Sequence, residues 1–546
     1  MKRHRVIIPS WAELSVEMRA ETGVLYPAFI QLAGQPLYSH IIRHYQHIKE
    51  EVEILIVLTK DAPELQPEYI YGFEVKTIRL DISKSIGETI LAAMDGVTSE
   101  QSIIVHMADT LISTVDADYG ENVIYVESRS DLYRWTSVNK RHDGSVHIMN
   151  DRDSNTISQK QLVCVGVFFL SEGILFSKIL ASVVVNWRQD KDDFFVAIEE
   201  YSKQISVNLI IPHSWNDYGH IDSYYQSKLQ FHNVRHFNSL SYDKERGIVT
   251  KRSESEDAFR HQIRWFKQVP NELASYLPHI YESNDGSDPH ITMELLSIPT
   301  LSDLFIDSRL ELGAWNIVVQ KIHLILNLFE HHKISSNMAE HVAYEIYLGK
   351  TKTRILSFLK QCPEASELYV ENNGRKFTLN KILLTLEEYV NKMGLLEINE
   401  ISPIHGDMCF TNLMFDPRGC NIKLIDPRGE FGVPGIYGDP RYDKAKMMHS
   451  YIGGYDFIIA DRFALNTSRG GLLECIIRRD SYHQKVSHIF DAFLFKDIKE
   501  RRECEAIQSL LFLSMLPLHQ DKPKRQLAML YIGLMQYAKN MTSSIE

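Results

Sequence analysis

The most constraining feature of this chain is a change of pattern part-way along it. Up to about residue 213, short apolar and β-branched runs alternate with segments of helical periodicity. Arg5–Pro9 and Glu53–Thr59 flank a segment that puts Leu37, Ile41, Ile42, Tyr45 and Ile48 on one helical face. Val75–Leu80, Ser102–Asp109, Asn122–Glu127, Leu162–Leu170 and Val207–His213 are the further predicted strands. Such alternation predicts a mainly parallel, Rossmann-like sheet covered on both faces, with ligands outside the carboxyl ends of its strands. From about Phe237 the pattern becomes a β-hairpin, Phe237–Tyr242 and Ile248–Arg252 around the turn Asp243–Gly247, then a helix from about Glu256 to Ala274. Strands at Pro278–Glu282 and His290–Leu296 follow, and beyond residue 300 helices dominate, with Trp315, Val318, Val319, Ile322, Ile325 and Phe329 on one stripe of Trp315–His332. The expected class is α/β in two domains, a sheet domain at 1–232 and a two-lobed domain at 236–546. The second divides into a small lobe at about 236–297 and a helical lobe at about 298–546. The boundary at 230–236 rests on the change of pattern.

Composition excludes several classes of function. With 59 Lys and Arg against 71 Asp and Glu, the net charge is −12 and no basic run appears, so no nucleic-acid partner is expected. Cys164, Cys362, Cys409, Cys420, Cys475 and Cys504 are scattered without a CxxC pair, which points to reduced thiols rather than zinc or disulfides. The apolar stretch in MKRHRVIIPS is too short for a signal peptide. Windows such as Leu510–Leu518 fall below the roughly 18 residues of a membrane span. A cytoplasmic enzyme without a membrane span is expected.

The most informative stretch is Ile404–Leu413, IHGDMCFTNL, followed fourteen residues after Asn412 by Asp426 in LIDPRG. Phosphoryl transfer from ATP needs hard oxygen ligands for Mg²⁺ and a carboxylate that orients and deprotonates the acceptor hydroxyl. In that scheme Asp407 is the base, and Asn412 and Asp426 hold the metal.

These residues resemble the aminoglycoside phosphotransferase and choline kinase group, which has the protein-kinase-like fold. The pattern there is His-Gly-Asp, four residues, Asn, then an Ile-Asp strand end. GDPRYDKAK, with Asp439 and Asp443, matches the Asp-rich helix start that follows in that family. The resemblance implies that Lys251, in GIVTKRS, holds ATP phosphates. It implies a hinge at Met293, Glu294, Leu295 and Leu296 where backbone groups meet the adenine. The lysine's usual partner is a glutamate on the next helix. Gln262 is the best-placed residue there, with Glu256 one and a half turns earlier. No glycine-rich phosphate loop precedes the hairpin, and no GxxxxGK[ST] occurs.

The opening VIIPSWAELSVEMRAETGVLYPAFIQLAGQPLYSHII resembles the start of sugar-nucleotide and CDP-alcohol nucleotidyltransferases. Pro27 and the Gly34-Gln35-Pro36 turn match, whereas Trp11–Arg19 has no glycine and Ala28 stands where that family has its phosphate-binding lysine. Asp109, ending SIIVHMAD, and Asp217, in WNDYGH, stand where it has its metal-binding aspartates. The tandem as a whole resembles bacterial capsule and surface-polysaccharide biosynthesis proteins that fuse such a domain to such a kinase.

The resemblance implies a bifunctional transferase. Its C-terminal domain would phosphorylate a sugar, polyol or amino alcohol with ATP and Mg²⁺, and its N-terminal domain would couple the product to a nucleotide drawn from a second nucleoside triphosphate. An alternative keeps the kinase and makes the N-terminal domain a non-catalytic binding or assembly module, because Ala28 and the missing glycines remove its phosphate grip. A wholly non-catalytic scaffold is opposed by Asp407, Asn412 and Asp426. His331, His332 and His341 lack metal-site spacing and read as a helix end. No Gly-x-Ser-x-Gly pattern suggests hydrolysis.

Overall fold

The computed structural model describes residues 3–32, 35–113, 121–129, 135–150, 160–186, 192–221, 223–224, 227, 238–243, 246–308, 310–520 and 522–542. Two compact units emerge, Met1–His232 and Asn233–Glu546. Gly34 and the expected boundary at 230–236 lie outside the described residues.

Nine described strands form the sheet of the first unit. Its middle is parallel: His4–Pro9 lies between Val52–Thr59 and Ser102–His106, and Val75–Leu80 continues beyond Val52–Thr59. Successive residues of these strands feed opposite faces. Val6, Ile8, Ile54, Ile56 and Ile104 enter one core, while Ile7, Leu55, Val57, Ile103 and Val105 enter another, as a sheet buried on both sides requires. The sheet is not mainly parallel throughout, because Gln161–Leu170 runs antiparallel to Ser102–His106, Val123–Arg129 and Thr136–Lys140. Among the described residues between 123 and 170 strand follows strand, and neighbours turn back on one another. The hairpin of Thr136–Lys140 with Val146–Asn150 is an addition to the expected strands. The run Val207–His213 shortens to Asn208–Ile210, and a separate strand, Ser214–Asp217, pairs with Thr110–Ser113. The helix Leu37–His44 ends before Ile48, which falls in a following 3₁₀ segment.

The second unit opens with a four-stranded antiparallel sheet in the order Asn238–Asp243, Ile248–Ser253, His290–Glu294, Ile280–Asn284. The helix between its hairpins, Glu256–Gln268, stops six residues short of Ala274. Pro270 has no amide hydrogen and disfavours helical geometry in the residue before it. Helices then pack around a single core that includes Trp265, Trp315, Phe410, Tyr389 and Tyr537. Leu312–His331 is apolar and long enough to cross a membrane, yet its stripe of Trp315, Val318, Val319, Ile322, Ile325 and Phe329 is buried in that core.

Candidate active sites

In the second unit, the strand Glu400–Pro403 delivers the chain into an irregular loop that ends in the 3₁₀ turn Phe410–Asn412. Gly406 sits at φ +76°, and a Cβ there would lie 1.9 Å from the Phe431 ring, so glycine alone fits. Asp443, buried in the first turn of Arg441–Tyr451, accepts the His405 and Gly406 amides at 2.7 Å each. Burial pushes its carboxyl up to about 7, against the pull of those two bonds. Trp265 Nε1 donates to the Ile404 carbonyl at 2.7 Å and ties the small-lobe helix to the same loop. Burial also holds the His405 imidazole down to about 4. Its Nδ1 accepts the Asp407 amide at 3.3 Å, so the neutral ring carries its proton on Nε2.

The loop presents Asp407 between two cations. Lys446 Nζ lies 2.8 Å from Oδ1 and Arg428 Nη2 lies 3.4 Å from Oδ2. Asn412 Nδ2 donates to the Asp407 carbonyl at 2.8 Å, so its amide oxygen is the atom a metal would meet. The hairpin of Leu413–Asp416 with Asn421–Leu424 pairs Leu413 with Leu424, and the Ile425 amide donates to the Asn412 carbonyl. Asn412 and Asp426 therefore leave one end of the hairpin together. Asp426, at φ +56°, keeps its side chain 45% exposed.

Lys251 joins this group from the small lobe. It is buried rather than solvated, with Nζ 2.7 Å from Asp426 Oδ1 and 3.1 Å from Gln262 Oε1. Gln262 donates in turn to the Pro427 carbonyl. Glu256 pairs with Arg260 at the surface, so Lys251 takes its ion pair from Asp426 rather than from the helix. At the expected hinge, the Glu294 amide donates to the His279 carbonyl and the Leu295 amide to the Gly247 carbonyl. Met293 pairs with Val249. The Glu294 and Leu295 amides are therefore already bonded within the small lobe.

In the first unit, antiparallel pairing sets Asp217 opposite Thr110 and hence beside Asp109. A Cβ on Gly219 would lie 2.5 Å from Asp109 Oδ2 and 3.5 Å from Asp217 Oδ1, so both carboxylates close around that glycine. Burial, reinforced by Asp217, pushes Asp109 up to about 6. His220 Nδ1 is 3.0 Å from Asp217 Oδ2. Ala28 is fully buried in the core, its amide donating to Ser10 Oγ, and Arg19 pairs with Glu13. Among the described residues no group of three His, Cys, Asp or Glu side chains is arranged to hold a metal ion.

Arg428, Lys446 and the bonding role of Asp443 add to the residues singled out from sequence. Arg428 lies in the LIDPRG motif itself. Asp443 and Lys446 stand three apart, the spacing that puts two side chains on one helical face.

No protein-family model matches the chain, and no curated protein matches it. Solved structures similar to its N-terminal ~40% are nucleotidyltransferases. One is a CTP:phosphocholine cytidylyltransferase from Streptococcus pneumoniae, 15% identical, with a TM-score of 0.34 over 42% of this chain and 99% of that one. A second is a nucleoside-diphosphate-sugar pyrophosphorylase from Vibrio cholerae, 17% identical, with a TM-score of 0.33 over 41% and 100%. A third is an inositol-1-phosphate CTP transferase from T. maritima, 15% identical, with a TM-score of 0.31 over 43% and 97%.

Proposed function

We propose that residues 233–546 form a Mg²⁺-dependent phosphotransferase that moves the γ-phosphoryl group of ATP onto a small hydroxyl compound. On this reading residues 1–232 transfer a nucleotidyl group to the phosphorylated product, the chain works in the cytoplasm, and the product feeds a surface polysaccharide. The observation that carries the reading is the meeting of Asp407, Asn412, Asp426 and Lys251. The carboxylate of Asp426 and the amide oxygen of Asn412 are the hard donors Mg²⁺ prefers, and the Lys251 ammonium already rests on Asp426 as a stand-in cation. Bound there, Mg²⁺ supplies neutralisation of the phosphate charge. Asp407 accepts the hydrogen bond, and finally the proton, of the acceptor hydroxyl. Lys446 and Arg428 fix both of its oxygens, which suits a loose transition state in which orientation counts for more than early deprotonation. On this reading Lys251, now paired with Asp426, holds phosphate oxygens.

For the first unit, Asp109 and Asp217 together carry more negative charge than His220 balances, which fits a divalent cation between them. A second reading makes this unit a non-catalytic binding module. Buried Ala28 and the Arg19–Glu13 pair favour it, since neither leaves a cation for a triphosphate. One assay addresses both readings. The full chain is offered sugars, polyols, amino alcohols and their acids with ATP and Mg²⁺, then CTP, UTP, GTP or dTTP, and ADP and pyrophosphate are measured. ADP release that requires an acceptor supports the kinase, and pyrophosphate release lost in Asp109→Asn supports the nucleotidyltransferase. Failure of the chain to bind Mg²⁺–ATP would overturn the first assignment. Binding of no nucleoside triphosphate by the first unit would select the module.

A further inference from the structure

Around Asp407 the second unit collects more positive charge than it uses. Lys446 and Arg428 both face the one carboxylate. Asp443, a further acid beside Asp407, is capped by two amides, and burial lifts its carboxyl to about 7. Lys350, at the start of the helix Lys350–Gln361, then has no carboxylate among the described residues. Its Nζ donates to the Tyr442 hydroxyl at 3.2 Å and lies 5.5 Å from the centre of that ring. Arg354 follows one turn later on the same helix and donates to the Ser514 carbonyl. Tyr442 lies among these cations. Burial would raise its hydroxyl, but Lys350, Arg428 and Lys446 draw it down to about 8. A half-buried ammonium with a phenol as its partner is poorly compensated, whereas a carboxylate or phosphate there would be held by charge-assisted bonds. Arg428 keeps 27% of its side chain exposed between this group and Asp407, so an anion bound here would lie next to the base.

We propose that the hydroxyl compound phosphorylated at Asp407 is an anion, carrying a carboxylate or phosphate group that Lys350 and Arg428 hold. The inference rests on the phosphotransferase reading and narrows its acceptor to the acidic members of the class, such as sugar acids or phosphorylated polyols. The same cations could instead serve the phosphates of ATP, so the test separates the two sources.

The full-length chain is first saturated with Mg²⁺ and a non-hydrolysable ATP analogue. Glycerate, inorganic phosphate, glycerol and choline are then titrated in at constant ionic strength by calorimetry. Saturable binding of glycerate or phosphate, without binding of glycerol or choline, is expected. Lys350→Met keeps the side-chain stem and should weaken anion binding at least tenfold while leaving the analogue's Kd within twofold, and Lys350→Arg should restore it. Anion binding only in the absence of the analogue would assign the cations to ATP and overturn the proposal. So would preference for glycerol or choline, or indifference of anion binding to Lys350→Met. A chain that binds no analogue contradicts the phosphotransferase reading itself. In that case anion titration of the nucleotide-free protein and of Lys350→Met still decides whether the anion site exists.

Discussion

At Asp407 both carboxylate oxygens face a cation, and the nearby Asp426 holds Lys251. At Asp109 and Asp217, in the other unit, two carboxylates share one glycine, and among the described residues no lysine or arginine pairs with either. The carboxylates of the first site are paired and positioned by the fold before any ligand arrives. The second stores repulsion that a proton on Asp109 or a bound cation relieves. The same residue type is thus structurally committed in one site and short of a cation in the other.

The comparison can be broken by making one substitution in both sites. Gly406→Ala must place a Cβ 1.9 Å from Phe431 at φ +76°, and strain plus overpacking should cost about 3–5 kcal/mol by denaturant unfolding. Gly219→Ala meets the end of the Asp109 side chain, which can rotate away, so about 1 kcal/mol is expected. Equal costs would contradict the contrast between a fixed and a waiting site.

Removing the anchor of the committed site comes next. Asp443→Ala leaves the His405 and Gly406 amides buried without acceptors, a loss of about 2–4 kcal/mol at neutral pH. Turnover should fall more than nucleotide affinity, because Asp443 holds the His405–Gly406 end of the loop, next to Asp407, and not the Asn412 end. An unchanged unfolding midpoint would remove Asp443 from this role.

The waiting site is read by pH and metal. Asp109 is held up at about 6 against an ordinary 3.8, so the folded state binds its proton more tightly than the unfolded one. Its contribution to stability is full below 3.8 and is lost as pH rises toward 6, by on the order of 2–3 kcal/mol. In chain-melting experiments Mg²⁺ should restore stability above pH 6 in the wild type and not in Asp109→Asn. A wild-type melting profile indifferent to Mg²⁺ at pH 7 would show that the pair holds no divalent cation. The smallest effect is expected from Arg19→Ala, which deletes a partly exposed ion pair worth about 0–1 kcal/mol. A tenfold loss of nucleoside triphosphate binding in that variant would show that Arg19 leaves Glu13 to grip phosphate.

Periodic segments were legible in the sequence. The hairpin at 238–253 and the buried stripe of Leu312–His331 follow from alternation and from 3.6-residue spacing, which local physics enforces. The hairpin Thr136–Asn150 was missed although Asp143-Gly144 lies between its strands, because its outer positions are polar and hide the alternation. In the site, Asp407, Asn412 and Asp426 stood out by spacing. Lys251 was legible as a strand lysine, but its pairing with Asp426 is a contact across 175 residues that no local pattern encodes. Lys350 carried no signal at all, since its meaning comes from Tyr442 and Arg428 folding against it.

The central claim, that Asp407 orients an acceptor for phosphoryl transfer, is tested most directly by Asp407→Asn in the full chain, with ADP release measured over a panel of hydroxyl acids and Mg²⁺–ATP affinity measured beside it. Acceptor-dependent kcat should fall at least a hundredfold while the Kd for ATP stays within a factor of about three. Wild-type turnover by the variant would contradict it, as would a loss of ATP binding that fully explains the loss of rate.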